Sequence, residues 1–413
     1  MSIATLLLFV YNTKNYASYL VICYLLTMPA IFFSNYKTGI VLCLSFLCYS
    51  IGGFVYNLFS KTDIAMLQKQ SFHVSREKFK YAKRSLFSAA YMLGVVSILF
   101  SSLYFSVVGI SLFAVDVGVA RLENRDAIGG AFIYQRIFRV LFPTVVIFLY
   151  AVWVSKNRPS SFMVLKISSV ILLIFFILNA SFLGFTGIKA NVITFLLIPL
   201  VIFHNLYIGR TSIIQLILIV VVAALLLLFM VNRMMPYASI VELAGFVFFR
   251  LGSGATDGLH YVIHTYEPKY GLQLGATFFQ DFTSIFGKLG FGSFNDKTLG
   301  QLIAIDLLGD NYRGEQAAVT LSGELYVNFG FWGMAFVSLL VGGLLQYLYL
   351  LAFNFNISPL RMVFISYVQA AVLLIIGGPV VSMAFDYAVF ICGFFIIWRV
   401  AISLPRIRSI VLS

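Results

Sequence analysis

The chain has 413 residues, 61% hydrophobic and only 10% charged, with a mean hydropathy of +0.98. A soluble globular domain is about 45–50% apolar and about 25% charged, so this composition excludes an ordinary soluble enzyme. It indicates an all-α polytopic integral membrane protein, and the net charge of +13 reads as attraction to anionic inner-leaflet lipid rather than to nucleic acid, worth about 1 kcal/mol per well-placed base.

The opening MSIATLLLFVYNTKNY has a short apolar run without a basic leader or a small-residue cleavage site. It reads as an interfacial helix or the start of a first span, not as a removed signal peptide. A spanning helix takes about 20 mostly apolar residues. Ten segments meet that requirement, near 16–34, 38–59, 86–112, 138–154, 163–184, 190–208, 212–232, 329–352, 362–380 and 383–404. The expected architecture is therefore one transmembrane domain over 1–413 with 10 to 12 helices. Cys23, Cys43, Cys48 and Cys392 all lie in apolar runs, in no metal-ligand or disulfide spacing.

Between the second and third spans, the loop 60–85 holds Lys61, Lys69, Arg76, Lys78, Lys80, Lys83 and Arg84 against Asp63 and Glu77. The positive-inside rule makes this loop cytoplasmic. Alternation then puts both termini inside as well. Of the 15 acidic residues only Asp63 and Glu77 fall on that side, so the acids gather outside.

Two outer segments follow from this topology. The shorter, VDVGVARLENRDAIGGAFIYQR, mixes Asp116, Arg121, Glu123, Arg125 and Asp126. Internal salt bridging is one reading; a guanidinium clamp for phosphate, with Arg125 in it, is the other. Lys189, in FTGIKANVITF, opens a span almost free of other charge. A lone cation at that depth is functional or paired.

The longer outer segment, 233–321, alternates apolar runs too short to span with charges, as short interfacial or re-entrant helices do. Asp257, His260 and His264 are spaced three and four apart, one face of a helix. Arg250 joins that face if the helix extends back through Gly252 and Gly254. A solvated polar face, a metal site of Asp-x-x-His-x-x-x-His type, and a base-and-cation face for a substrate with an anionic leaving group all remain open.

At the end of this loop stands RGEQAAVTLSGELYVNFGFWGMAF, Arg313 to Phe336. Glu324 reads either as an acid in the first turn of a helix, where the dipole favours an anion, or as a reacting group. The run Glu324, Tyr326, Asn328, Phe329, Gly330, Gly333 resembles the Glu-x-Tyr-x-Asn-Phe-Gly-x-x-Gly element of bacterial oligosaccharide repeat-unit polymerases, the Wzy-type O-antigen and capsule polymerases. Chain length, span number and the large loop just before the element are similar too. The Gly-Ile-Lys turn ending at Lys189 is similar to a Gly-x-Arg/Lys turn in that family. The chain departs from it in lacking a clear pair of Arg-rich repeats in its outer loops.

The resemblance implies a glycosyltransferase of the bacterial inner membrane that uses no nucleotide sugar and no cofactor. It would join undecaprenyl-diphosphate-linked oligosaccharide repeat units at the periplasmic face, among membrane lipids and with a chain-length regulator as partner. Glu324, His260 and His264 are then candidates for the base that activates the acceptor hydroxyl. Arg250, Arg313, Lys189 and Arg125 would neutralise the diphosphate, with Asn328, Tyr326 and Asp257 as further substrate contacts. A metal is not needed. The alternatives are a flippase or other transporter, whose charges would line a cavity within the helices, and an O-antigen ligase. A membrane acyltransferase wants a cytoplasmic histidine, and the chain offers only His73 and His204 there.

Overall fold

The computed structural model describes residues 36–60, 79–110, 132–156, 257–288, 297–311, 319–352, 359–376 and 380–411, with isolated positions and the short piece around 239–245. Among these residues every regular element is helical. In chain order they are α1 (Tyr36–Ser60), α2 (Phe79–Val108), α3 (Phe132–Lys156), α4 (Asp257–Tyr261), a π-helical turn (Val262–Tyr266), α5 (Glu267–Tyr270), α6 (Ala276–Lys288), α7 (Leu299–Leu308) with a 3-10 turn (Gly309–Asn311), α8 (Leu321–Ala352), α9 (Pro359–Ile376) and α10 (Val380–Val411). Three stretches are long and apolar enough to cross a membrane: Tyr36–Ser60, Ser88–Val108 and Leu321–Leu351. The protein is thus a helical protein with membrane-crossing helices. The first two match the expected spans at 38–59 and 86–112. Those at 16–34, 163–184, 190–208 and 212–232 lie outside the described residues, as do most of the loop 60–85 and of the shorter outer segment.

The chain divides into two compact units. One comprises Met1–Asp63, Ser239–Leu351 and Ala371–Asp386; the other comprises Ile64–Ala238, Ala352–Ala370 and Tyr387–Ser413. In the second unit α2 packs along α3, with Tyr104 stacked on Phe138 at 6.5 Å. Gly393 lets Val140 in so closely that an added Cβ would stand 2.5 Å from it. Phe394 stacks on Phe364 at 4.5 Å.

In the first unit, α1 and α8 cross backbone to backbone. A Cβ on Gly52 would stand 1.9 Å from the Leu339 carbonyl oxygen, and one on Gly342 would stand 2.0 Å from that of Tyr49. Small residues at a crossing let dispersion contacts replace the hydrophobic drive that lipid does not supply. Polar pairs mark either side of it: Ser322 donates to Ser45 Oγ at 3.0 Å and Gln346 to Asn57 Oδ1 at 2.8 Å. Ser322 lies before Gly330 and Leu339 to Gln346 lie after it, so α1 touches α8 on both sides of that residue.

The opposite side of α8 exposes Trp332, Phe336, Leu340 and Leu344, four residues apart each time. That is one stripe of a helix, suited to lipid. The core between the helices takes Val41, Leu42, Phe46 and Tyr49 from α1. Leu325, Val327, Met334 and Leu345 come from α8, and the loop helices add Leu259, Ile263, Leu299 and Ile303.

Candidate functional site

The helix carrying the Glu-x-Tyr-x-Asn-Phe-Gly element starts earlier than hydropathy indicates. It begins at Leu321 rather than near 329, because Thr320 closes the first turn with its own carbonyl and hydroxyl on Gly323 N and its carbonyl on Glu324 N. It then breaks at Gly330, with φ 66° and ψ −166°. That region is open to glycine and essentially closed to other residues, so Asn-Phe-Gly ends one helical segment of α8 and Gly330 turns the chain into a second.

A break strands the carbonyls of the last turn before it. The loop after α5 supplies their partners. Gln273 N donates to Val327 O at 2.9 Å, Leu274 N to Asn328 O at 3.0 Å, and Gly275 N to Asn328 Oδ1 at 2.9 Å. Aiming three successive N–H groups at one helix end needs unusual backbone, and Gly271, Leu274 and Gly275 all have positive φ.

Asn328 completes the knot. Its amide donates to Thr277 Oγ1 at 2.6 Å and to Glu324 O at 2.7 Å. A carbonyl only accepts, so this pair fixes which end of the amide carries nitrogen. Asn328 is 0% exposed, and its donors and its acceptor are used in holding the loop to the helix. Gly333 takes the Phe329 ring: a Cβ there would stand 2.1 Å from Phe329 Cβ. The absent side chain at 333 lets the segment after the break pack against the last residue of the segment before it.

Asp257, His260 and His264 stand on one helical element, but its geometry is not purely α. Val262–Tyr266 is π-helical, with Glu267 N donating to Val262 O. Pro268 lies in the first turn of α5. Its ring crowds the carbonyl four residues back and it has no N–H to offer it, which favours widening the turn; such π turns cluster at functional sites. The two imidazoles still meet, with ring centroids 4.6 Å apart, and both are exposed. Thr38 Oγ1 lies 3.3 Å from His260 Nδ1 across 222 residues of sequence. Burial, then the adjacent His260, then Lys37 hold the His264 imidazole below its usual pKa.

Phenol–carboxylate contacts stand beside this pair. Tyr261 donates its hydroxyl to Asp306 Oδ2 on α7; burial and that carboxylate push the phenol pKa up. Tyr326 donates to Glu267 Oε2 at 3.5 Å. Tyr266 packs on Tyr270 at 4.7 Å, and Lys269 Nζ stands 4.8 Å above the Tyr270 ring. Beneath them Asp281 Oδ1 accepts from Leu299 N at 3.3 Å, and Thr298 with Gln301 forms a capping box. These bonds seat α7 against α6 and so position Asp306.

The expected site residues thus separate. His260 and His264 are together at the surface, Tyr326 is nearby and mostly buried, and Asp257 opens the same helical element. Glu324 is only 2% exposed. Arg250, Arg313, Lys189 and Arg125 lie outside the described residues. Sequence reading missed Lys37, Thr38, Glu267 and Asp306. Lys37 and Thr38 look like the lip of an ordinary span, and their only sequence signal is a cation where a helix dipole is already positive. Among the described residues no three His, Cys, Asp or Glu side chains are grouped to hold a metal ion. No protein-family model matches the chain, and neither does any curated protein or solved structure.

Proposed function

We propose that the protein is a glycosyltransferase that polymerises undecaprenyl-diphosphate-linked oligosaccharide repeat units at the periplasmic face of a bacterial inner membrane, through about ten spans with both termini cytoplasmic. The observation that carries this reading is the setting of the Glu324–Gly333 element. A glycine break and a three-donor loop fold it beside exposed imidazoles, tyrosines and carboxylates of the long loop. The lipid-suited stripe of α8 begins at Trp332, just past the break. A lipid-linked sugar has the same division: a water-loving head and an apolar tail.

The reaction breaks the bond from the donor's anomeric carbon to diphosphate oxygen, and the diphosphate leaves with the electron pair. The acceptor hydroxyl bonds to that carbon and gives its proton to a base. That base is one of His260, His264 and Glu324. The imidazoles are exposed to solvent, whereas the Glu324 side chain lies in the core. Cations stabilise the leaving diphosphate.

A strain lacking the protein tests the reading. It should make lipid A capped with a single repeat unit and nothing longer. An unchanged ladder of chain lengths refutes the proposal. Loss of all capped lipid A assigns the protein to ligation or flipping instead.

A further inference from the structure

We infer that Leu272, Leu274 and Phe279 form a wedge that seats the long loop in the bilayer, between lipid headgroups and acyl chains. The helix α6 carries its side chains inside out. Thr277 and Asp281 are buried, accepting from the Asn328 amide and from Leu299 N. On the opposite side of the same helix Phe279 is 68% exposed, and Phe282 is exposed nearly one turn further on. A helix that meets water places its polar residues outward. Here the outward residues are aromatic and the inward ones polar. That reversal suits a surface covered by hydrocarbon, where polar groups turn toward the protein.

Leu274 is a second, independent observation. Its backbone stands at φ 49°, a left-handed conformation that ordinary side chains avoid. Its N–H donates to Asn328 O, which fixes the strained turn. Glycine would fit this backbone without strain. What leucine adds is an apolar side chain, and that side chain is 80% exposed. The occupant follows from what adjoins this face. A Cβ on Gly330 would stand 3.5 Å from Leu272 Cδ1, and Phe278 meets Phe329 at 6.0 Å, so the apolar surface of the loop joins α8 at its break. Past the break, Trp332, Phe336, Leu340 and Leu344 form the exposed stripe of a stretch long and apolar enough to cross a membrane. Lipid that covers the stripe extends to the wedge. With 13 residues, α6 is about 20 Å long and too short to span. The alternating sequence of the loop allows interfacial or re-entrant helices; this face selects the interfacial kind, with its apolar side about 5–10 Å into the boundary between headgroups and acyl chains.

The inference needs only a membrane-crossing α8 and does not depend on the polymerase reading. The test places a nitroxide label on Leu274→Cys or Phe279→Cys of the full-length protein in phosphatidylcholine nanodiscs, with the four native cysteines replaced by alanine. Electron paramagnetic resonance then compares relaxation by oxygen, which partitions into hydrocarbon, with relaxation by a water-soluble nickel chelate. Both labels should favour oxygen, at a depth of about 5–10 Å. The same label on Lys297→Cys, at an exposed charged residue, should favour nickel. A second measurement keeps the native cysteines: photocrosslinking from p-benzoylphenylalanine in place of Leu274 should give phospholipid adducts. A label on Leu274→Cys or Phe279→Cys that favours nickel overturns the inference, because the face then meets water. Crosslinks to a second copy of the chain, or to another part of the same chain, without phospholipid adducts overturn it as well.

Discussion

Two polar regions lie within a few turns of each other and use their polar atoms in opposite ways. Around Asn328, buried donors and acceptors are matched: loop N–H groups on carbonyls, an amide on a hydroxyl and a carbonyl. Around His260 and His264, protonatable groups of the same charge type stand exposed beside Lys37. A matched buried network holds a shape. Groups exposed to solvent contribute little to a shape. The contrast separates residues of the Glu324–Gly333 element that hold the local shape from residues outside it that stand at the surface.

The crossing of α1 and α8 supports both regions, so breaking it should have the largest effect. Gly52→Val forces a side chain into the Leu339 carbonyl and should cost about 3 kcal/mol. Thermal unfolding in detergent would read this as a large fall in midpoint, and an unchanged midpoint would deny the crossing. Asn328→Asp comes next. It points a carboxylate at the Glu324 carbonyl and removes two amide donors, which should cost about 2–3 kcal/mol in the same assay. Gly330→Ala should cost about 1–3 kcal/mol, because only glycine occupies its backbone conformation without strain.

The imidazole region should respond the other way. His260→Asn and His264→Asn should shift unfolding by less than about 0.5 kcal/mol, as exposed positions do. Loss of a catalytic base should nevertheless cut polymer formation about 100-fold. If polymer length at equal expression is normal in both, neither imidazole is the base. Glu324→Gln, measured the same way, decides for the buried carboxylate.

The smallest effect is that of pH on stability. The folded-state pKa of His264 is depressed, so its contribution is fully present above the ordinary imidazole value of about 6.5. It is lost as pH falls from there through the lower folded value. Wild type should lose a little more stability between pH 7.5 and 5.5 than His264→Asn does. An identical loss in both would show that His264 is not the titrating group.

Much of this was legible in the sequence. Apolar runs of spanning length marked α1, α2 and α8 because a helix in lipid must be apolar for its whole length. The spacing of His260 and His264 put them on one face, and the rings do meet. Asn-Phe-Gly reads as a turn, and the chain does break its helix there, at the glycine such a break requires. The helix start at Leu321 was less legible. Thr320 caps it, and a hydropathy window does not register a cap.

Other features were out of reach for a reason of distance. Thr277 on Asn328, Thr38 on His260 and Tyr261 on Asp306 join positions 45 to 222 residues apart. Periodicity along one chain carries no information about such pairs. Sequence alone determined the membrane-helical class, the positions of several spans and the residue types available for chemistry. Those follow from local composition, and burial in lipid acts on each helix separately. Only the tertiary structure decided that Asn328 ties a loop while Thr38 meets His260. That choice depends on contacts between distant elements: the loop before α6 meets the α8 segment that ends at Gly330, and the start of α1 meets the histidine element.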